Sequence, residues 1–151
     1  MKVLIVYDSI QGNTEKVARA MAAALSSSGD VKVLKPGEVA SSDLKSIDLL
    51  IVGSPTLGGR PTQPMQTFLA GIPADALKGI DVVAFDTRLK AAWVKIFGFA
   101  SGRIADALKS KGGRLLAPPQ GFFVAGRNGP LKDGESERAA EWAKGISLPK
   151  R

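Results

Sequence analysis

The chain of 151 residues contains no cysteine and no histidine. Without cysteine there is no disulfide framework, no thiol nucleophile, no zinc–thiolate site and no iron–sulfur cluster. Without histidine there is no imidazole base, no haem axial histidine and little to hold a transition metal. Long apolar runs are also missing: the longest are about five residues, against the roughly 20 that span a bilayer. Val3–Tyr7, between Lys2 and Asp8, is too short for the core of a secretory signal. Chemistry is therefore left to carboxylates, hydroxyls, amines, backbone groups or a bound organic cofactor. We expect a cytoplasmic protein with no membrane insertion and no metal.

The length suits one domain over residues 1–151. Such a chain buries roughly two-thirds of its unfolded surface and needs no cross-links to fold. With 21 basic and 14 acidic side chains the formal charge is +7. That surplus suits an acidic partner, a nucleic acid or an anionic ligand, or it only sets solubility. The basic residues form no long run and do not alternate with aromatics on a strand, so no nucleic-acid partner is expected.

Apolar runs alternate with helical patterns. Val3-Leu4-Ile5-Val6-Tyr7 is an unbroken run, as expected of a strand buried on both faces. Val17, Met21, Ala24 and Leu25 fall on one helical stripe, which Ser26–Gly29 ends, with Gly29 as a left-handed cap. Val31–Leu34, Leu49–Val52 and Val82–Phe85 read as three further strands. Leu115-Leu116 and Phe122-Phe123-Val124 read as two halves of a fifth, interrupted by Pro118-Pro119 and so placed at a sheet edge. Between them lie a possible helical turn at Ser41–Lys45 and a helix marked by Met65, Phe68 and Leu69, with Thr62 as its cap. A further helix is marked by Ile104, Ala105 and Leu108, and a last one by Ala139, Trp142, Ala143 and Ile146, with Asp133 as its cap. This alternation implies a doubly wound parallel sheet with helices on both faces and right-handed crossovers. Ligands of such sheets bind beyond the carboxyl ends of the strands. The loops after the first, third and fourth strands are therefore the candidates.

The first loop, Asp8-Ser9-Ile10-Gln11-Gly12-Asn13-Thr14, enters a helix with hydroxyls, amides and a glycine but no lysine. Backbone N–H groups at a helix start, carrying roughly half a positive charge, cradle phosphate. The absence of Gly-Lys-Ser/Thr excludes a Walker loop, and Gly-x-Gly-x-x-Gly is missing too. The plain alternative is that Ser9 and Thr14 only cap the helix. The second loop, Gly53-Ser54-Pro55-Thr56-Leu57-Gly58-Gly59-Arg60-Pro61-Thr62, has paired glycines that admit a flat ligand or a change of peptide orientation. The third starts at Phe85-Asp86-Thr87-Arg88 and continues to Trp93. Trp93, Phe97 and Phe99 either cover a planar ring or begin the packing of the next helix.

Ser9–Thr14 followed by Gly53–Gly59 resembles the short-chain flavodoxins over nearly the whole chain. The first loop is similar to the family's Ser/Thr-x-Thr-Gly-Asn-Thr phosphate loop, with Gln11 in place of threonine. The resemblance implies five strands in the order 2-1-3-4-5 and non-covalent FMN. It implies that Ser9, Ile10, Gln11, Gly12, Asn13 and Thr14 surround the phosphate. Pro55, Thr56, Leu57, Gly58 and Gly59 would lie along the ribityl chain and one edge of the ring. Asp86, Thr87 and Arg88 would meet the pyrimidine edge. Where the family often has a stacking tyrosine this chain has Leu89 and Lys90, so either Trp93 reaches a ring face or that face is open to a small substrate. In flavodoxins a peptide of the second loop can flip when the flavin is reduced, and Gly58 is the matching position. Typical flavodoxins are acidic. Here Arg60, Arg88 and Lys90 on the rim imply a less reducing flavin.

The function implied is electron transfer with a redox partner protein, as a monomer or weak dimer and without a catalytic side chain of its own. The alternatives are an FMN-dependent oxidoreductase acting on a small acceptor such as a quinone, and a cofactor-free interaction domain. A receiver-type signalling domain shares the topology, but the third strand ends in Gly53-Ser54 where a receiver needs an aspartate.

Overall fold

The structure is a computed structural model and describes residues 1–89, 99–126 and 128–147. The elements run β1 (Lys2–Tyr7), α1 (Asn13–Leu25), β2 (Asp30–Leu34), β3 (Leu49–Pro55), α2 (Gln63–Gly71), β4 (Asp81–Leu89), α3 (Ala100–Ser110), β5 (Arg114–Leu115), β6 (Gln120–Val124) and α4 (Glu135–Ser147). A short 3-10 turn, Ser41–Leu44, occupies the place of the predicted helical turn. The sheet order is β2-β1-β3-β4-β5, every pairing is parallel, and β6 also pairs with β4. Asp81-Val82 pair with β5 and Phe85–Leu89 with β6, so β5 and β6 are two halves of one edge strand. The doubly wound 2-1-3-4-5 sheet is thus observed.

The unbroken apolar strands follow from burial on both sides. In β1, Val3, Ile5 and Tyr7 face one core with Val17, Met21 and Leu25 of α1 and Ala139 and Ala143 of α4. Leu4 and Val6 face the other, with Met65 and Leu69 of α2 and Ile104 and Leu108 of α3. Each fully buried aliphatic side chain contributes about 1.5–3 kcal/mol relative to exposure.

The outer edge of β6 is covered by α4. The Glu135 carboxylate accepts from the Phe123 amide at 2.7 Å, and the Arg138 guanidinium donates to the Gly121 carbonyl at 2.6 Å. The two side chains pair with each other at 2.6 Å and occupy positions a further strand would fill, which closes a template for aggregation.

Three expectations need correction. Gly29 is not a left-handed cap; a Cβ there would lie 2.0 Å from the Met1 carbonyl oxygen, so close packing against the N-terminus selects glycine. Asp133 does not cap α4: it is exposed, two residues before the helix, with Gly134 at φ +83° between. Asp86-Thr87-Arg88 are not loop but belong to the carboxyl-terminal part of strand β4, in register with Gly121, Phe122 and Phe123.

Candidate cofactor site

The carboxyl ends of β1, β3, β4 and β6 meet at one edge. In the first loop the Ser9 amide donates to the Asp8 carboxylate at 2.9 Å, and the Gly12 amide donates to the Ser9 hydroxyl at 3.0 Å. Ser9 therefore closes the loop on itself. Gly12, at φ +85° and ψ −3°, precedes α1, and no side chain caps that helix. No described residue accepts a hydrogen bond from the amides of Gln11, Asn13 or Thr14. The Thr14 hydroxyl is paired with that of Thr87 across 2.8 Å, in a buried position.

The second loop is held from three sides. The Thr62 hydroxyl donates to the Asp8 carboxylate at 2.5 Å and accepts from the Met65 amide, so the predicted cap of α2 also ties the first loop to the second. The Thr62 amide donates to the Ser54 hydroxyl at 3.0 Å. Leu57 and Arg60 exchange backbone hydrogen bonds of 2.8 and 3.0 Å around Gly58 and Gly59, at φ +57° and +81°. This is a two-residue hairpin of the type that needs φ > 0 at both central positions. Arg103 of α3 donates to the Gly59 carbonyl at 2.8 Å and fixes the tip.

The alternation of β4 separates its polar residues. Thr87 turns toward Thr14. Asp86, with 0% exposure, turns toward α3, where its carboxylate accepts from Arg88 at 2.7 and 2.8 Å and from the Ser101 amide at 2.9 Å. The Thr56 hydroxyl accepts from the Ala100 amide at 3.0 Å. Two residues read from sequence as ligand contacts thus satisfy the first amides of α3, which has no cap of its own. The Arg88 guanidinium also lies 3.4 Å over the Phe99 ring, in space left free by Gly121. Its charge is matched by Asp86, so Arg88 is not the free rim cation expected from sequence.

A cavity of about 240 Å³ opens between these elements. Ser9, Ile10, Gln11, Asn13, Thr14, Pro55, Thr56, Leu57, Thr87 and Arg88 line it together, joined by Leu89, Val124 and Asn128. Gly12 sits within the first loop, and Gly58 and Gly59 form the hairpin tip, without lining the cavity. Asp86 lies beneath the surface, and Trp93 falls outside the described residues. Val124 and Asn128 were missed because the loop after the last strand was not considered. The signal was available: in a parallel sheet every strand's carboxyl end opens on the same edge, and Gly126, Asn128, Gly129 and Pro130 are turn-forming residues.

The residues present suit FMN. Unshared amides at a helix start provide a neutral anion cradle with the positive end of the helix dipole behind it. Above it, Ile10 and Leu57 are large apolar side chains left 58% and 47% exposed, at the cavity's two lips. An apolar mouth over a polar floor matches a ring joined to a phosphate tail.

A doubly wound parallel sheet with such a cradle before its first helix defines a nucleotide-binding α/β protein. Comparison with known proteins narrows the class. The sequence profile of the family described as Flavodoxin matches residues 5–142, and the chain belongs to that family. A Synechocystis protein bearing the name diflavin flavoprotein A 4 is 34% identical over 84 residues, covering 52% of this chain and 14% of that protein. The matched part thus spans a small fraction of the curated relative's length. Among solved structures, a flavodoxin from the domain Archaea is 25% identical, with a TM-score of 0.78 and coverage of 97% of this chain and 96% of that one. Flavodoxin 2 from Bacillus cereus shares the fold at a TM-score of 0.82 and 22% identity, covering 97% and 98% of the two chains. As a member of that family the chain is an FMN-binding flavoprotein. Among the described residues, no helix is long and apolar enough to cross a membrane.

Proposed function

We propose that the chain carries electrons between redox partner proteins through FMN held without a covalent link in the cavity at the carboxyl edge of the sheet. The observation that carries this reading is the set of amides at Gln11, Asn13 and Thr14 that no described residue accepts from, on residues that also line the cavity. FMN supplies the electron chemistry when bound. The chain's part is to bind and orient it. The amides and the Thr14 hydroxyl hold the phosphate with neutral donors. Ile10 and Leu57 flank the ring and exclude water from its edges. The Leu57–Arg60 hairpin, pinned by Arg103, keeps that wall in place.

The test is calorimetric titration of the purified chain with FMN and with riboflavin, alongside a Ser9→Ala/Thr14→Ala variant. Losing the Thr14 hydroxyl's bond to a charged group costs about 1.5–3 kcal/mol, and losing Ser9 releases the Gly12 amide that shapes the loop, so FMN affinity should fall at least about tenfold. Riboflavin, which lacks the phosphate, should be nearly unaffected. Equal losses for the two ligands, or no FMN binding by the parent chain, would overturn the assignment.

A further inference from the structure

The groove between α2 and α3 gathers three cationic side chains that form no ion pair among the described residues. It encloses about 450 Å³, and its walls include Arg60 after the hairpin tip, Arg103 on the first turn of α3 and Lys111 just past that helix. The ion pairs among the described residues engage Arg19, Lys32, Arg88, Arg114, Arg138 and Lys144, and none engages these three. Arg103 and Lys111 donate to the backbone carbonyls of Gly59 and Ala70, at 2.8 and 3.5 Å, which satisfies donors without neutralising charge. Arg60 and Arg103 are exposed. Asp106, on the same helix as Arg103, is not part of the groove wall. Several like charges in one concave surface focus the field and attract the opposite sign over a distance set by salt.

The groove also adjoins the cofactor cavity. Arg103 holds the Gly59 carbonyl, and the same hairpin presents Leu57 to the cavity. A partner seated against Arg60 and Arg103 would stand beside the cavity wall. We propose that this groove is the docking surface for an acidic patch, aspartate and glutamate side chains, on the protein that exchanges electrons with this chain. The inference rests on the electron-transfer reading and adds the partner's chemistry to it. Exposed charges of this kind act mainly on the rate of encounter and its salt dependence.

The experiment follows backbone amide NMR shifts of the FMN-loaded chain during titration with a poly-L-glutamate peptide, and separately with inorganic phosphate. Two variants of equal net charge are compared: Arg60→Glu/Lys111→Glu in the groove, and Lys35→Glu/Lys45→Glu on exposed positions away from it. Thermal melts establish that both are folded. The peptide should shift the amides of Arg60, Gln66, Arg103 and Ser110. Reversal of the two charges at the contact, exposed Arg60 and half-buried Lys111, should weaken it about tenfold, with the outlying variant changing it less than about twofold. Equal weakening in both variants, shifts centred elsewhere, or phosphate reproducing the peptide's shifts at equal concentration would overturn the proposal. Failure of the parent chain to take up FMN would instead count against the electron-transfer reading, since the peptide arm can be run on the apoprotein as well.

Discussion

Removing the guanidinium at position 88 should destabilise the fold more than any contact with a ligand would explain. The Asp86 carboxylate has 0% exposure and three hydrogen bonds, two of them from Arg88. Arg88→Met keeps most of the side chain's length and leaves a buried carboxylate with the Ser101 amide as its remaining donor. Breaking a buried pair from one side costs about 3–5 kcal/mol. The start of α3 beside the carboxylate offsets about 0.3–1 kcal/mol of that. Loss of the guanidinium over the Phe99 ring, 3.4 Å away, acts in the opposite direction. The expected loss is about 4 kcal/mol, against a total of about 5–15 for a typical domain. At about 2–4 °C per kcal/mol for a chain of this size, the melting temperature should drop by about 8–16 °C.

The double variant Asp86→Leu/Arg88→Met decides the cause. It removes the orphaned charge together with its partner and leaves only the Ser101 amide without its acceptor, at a cost of about 1–3 kcal/mol. It should therefore be more stable than Arg88→Met alone. Urea unfolding of the parent, both single variants and the double variant closes the cycle. A loss below about 1 kcal/mol for Arg88→Met, or a double variant no better than that single one, would refute the buried-pair account.

Two further outcomes are expected. Gly53→Ala places a Cβ 2.1 Å from the Phe85 ring, its neighbour in register on β4, and should cost about 1–3 kcal/mol by overpacking, with Gly53→Ala/Phe85→Leu recovering part of the loss in urea unfolding. Asp43 is held below its ordinary value of 3.8, first by the hydrogen bond from Lys32 and then by that from the Ala40 amide. The folded state thus favours the carboxylate, so the pair's contribution is present above about pH 4 and is lost as pH falls through the depressed value. Lys32→Met should move the Asp43 titration upward in side-chain carbonyl NMR, and an unmoved midpoint would remove Lys32 as the principal cause.

Most of the fold was legible because its strands are buried on both faces. A run such as Leu49–Val52 has no polar member, and the two cores that receive its alternate side chains explain why. The break at Pro118-Pro119 likewise marked the edge where β5 gives way to β6. What misled was polarity near the site. Asp86, Thr87 and Arg88 read as loop because a polar triplet with two charges does not look like part of a sheet. Their charges cancel sideways within one face of the strand, and Thr87 points to the other. Sequence cannot reveal that pairing, because it depends on Gly121 leaving room for the guanidinium and on α3 presenting an amide to the carboxylate.

The same ambiguity runs through the cofactor site. Ser9, Thr56, Asp86 and Thr62 were all legible as polar groups near a strand end, and each is occupied by a neighbouring part of the chain. What is left unshared are backbone amides, which no side-chain pattern displays. The first loop is therefore recognisable from its sequence only through its place between a buried strand and a helix, with Gly12 in the conformation that ends the loop. The structure turns that placement into chemistry: polar side chains hold the loops, and the amides they leave free are the ones available to an anion. Ser54→Ala, outside the cavity wall, should accordingly loosen the second loop through Thr62. Ser9→Ala should act on the first loop through Gly12, and both effects follow from scaffolding rather than from a lost ligand bond.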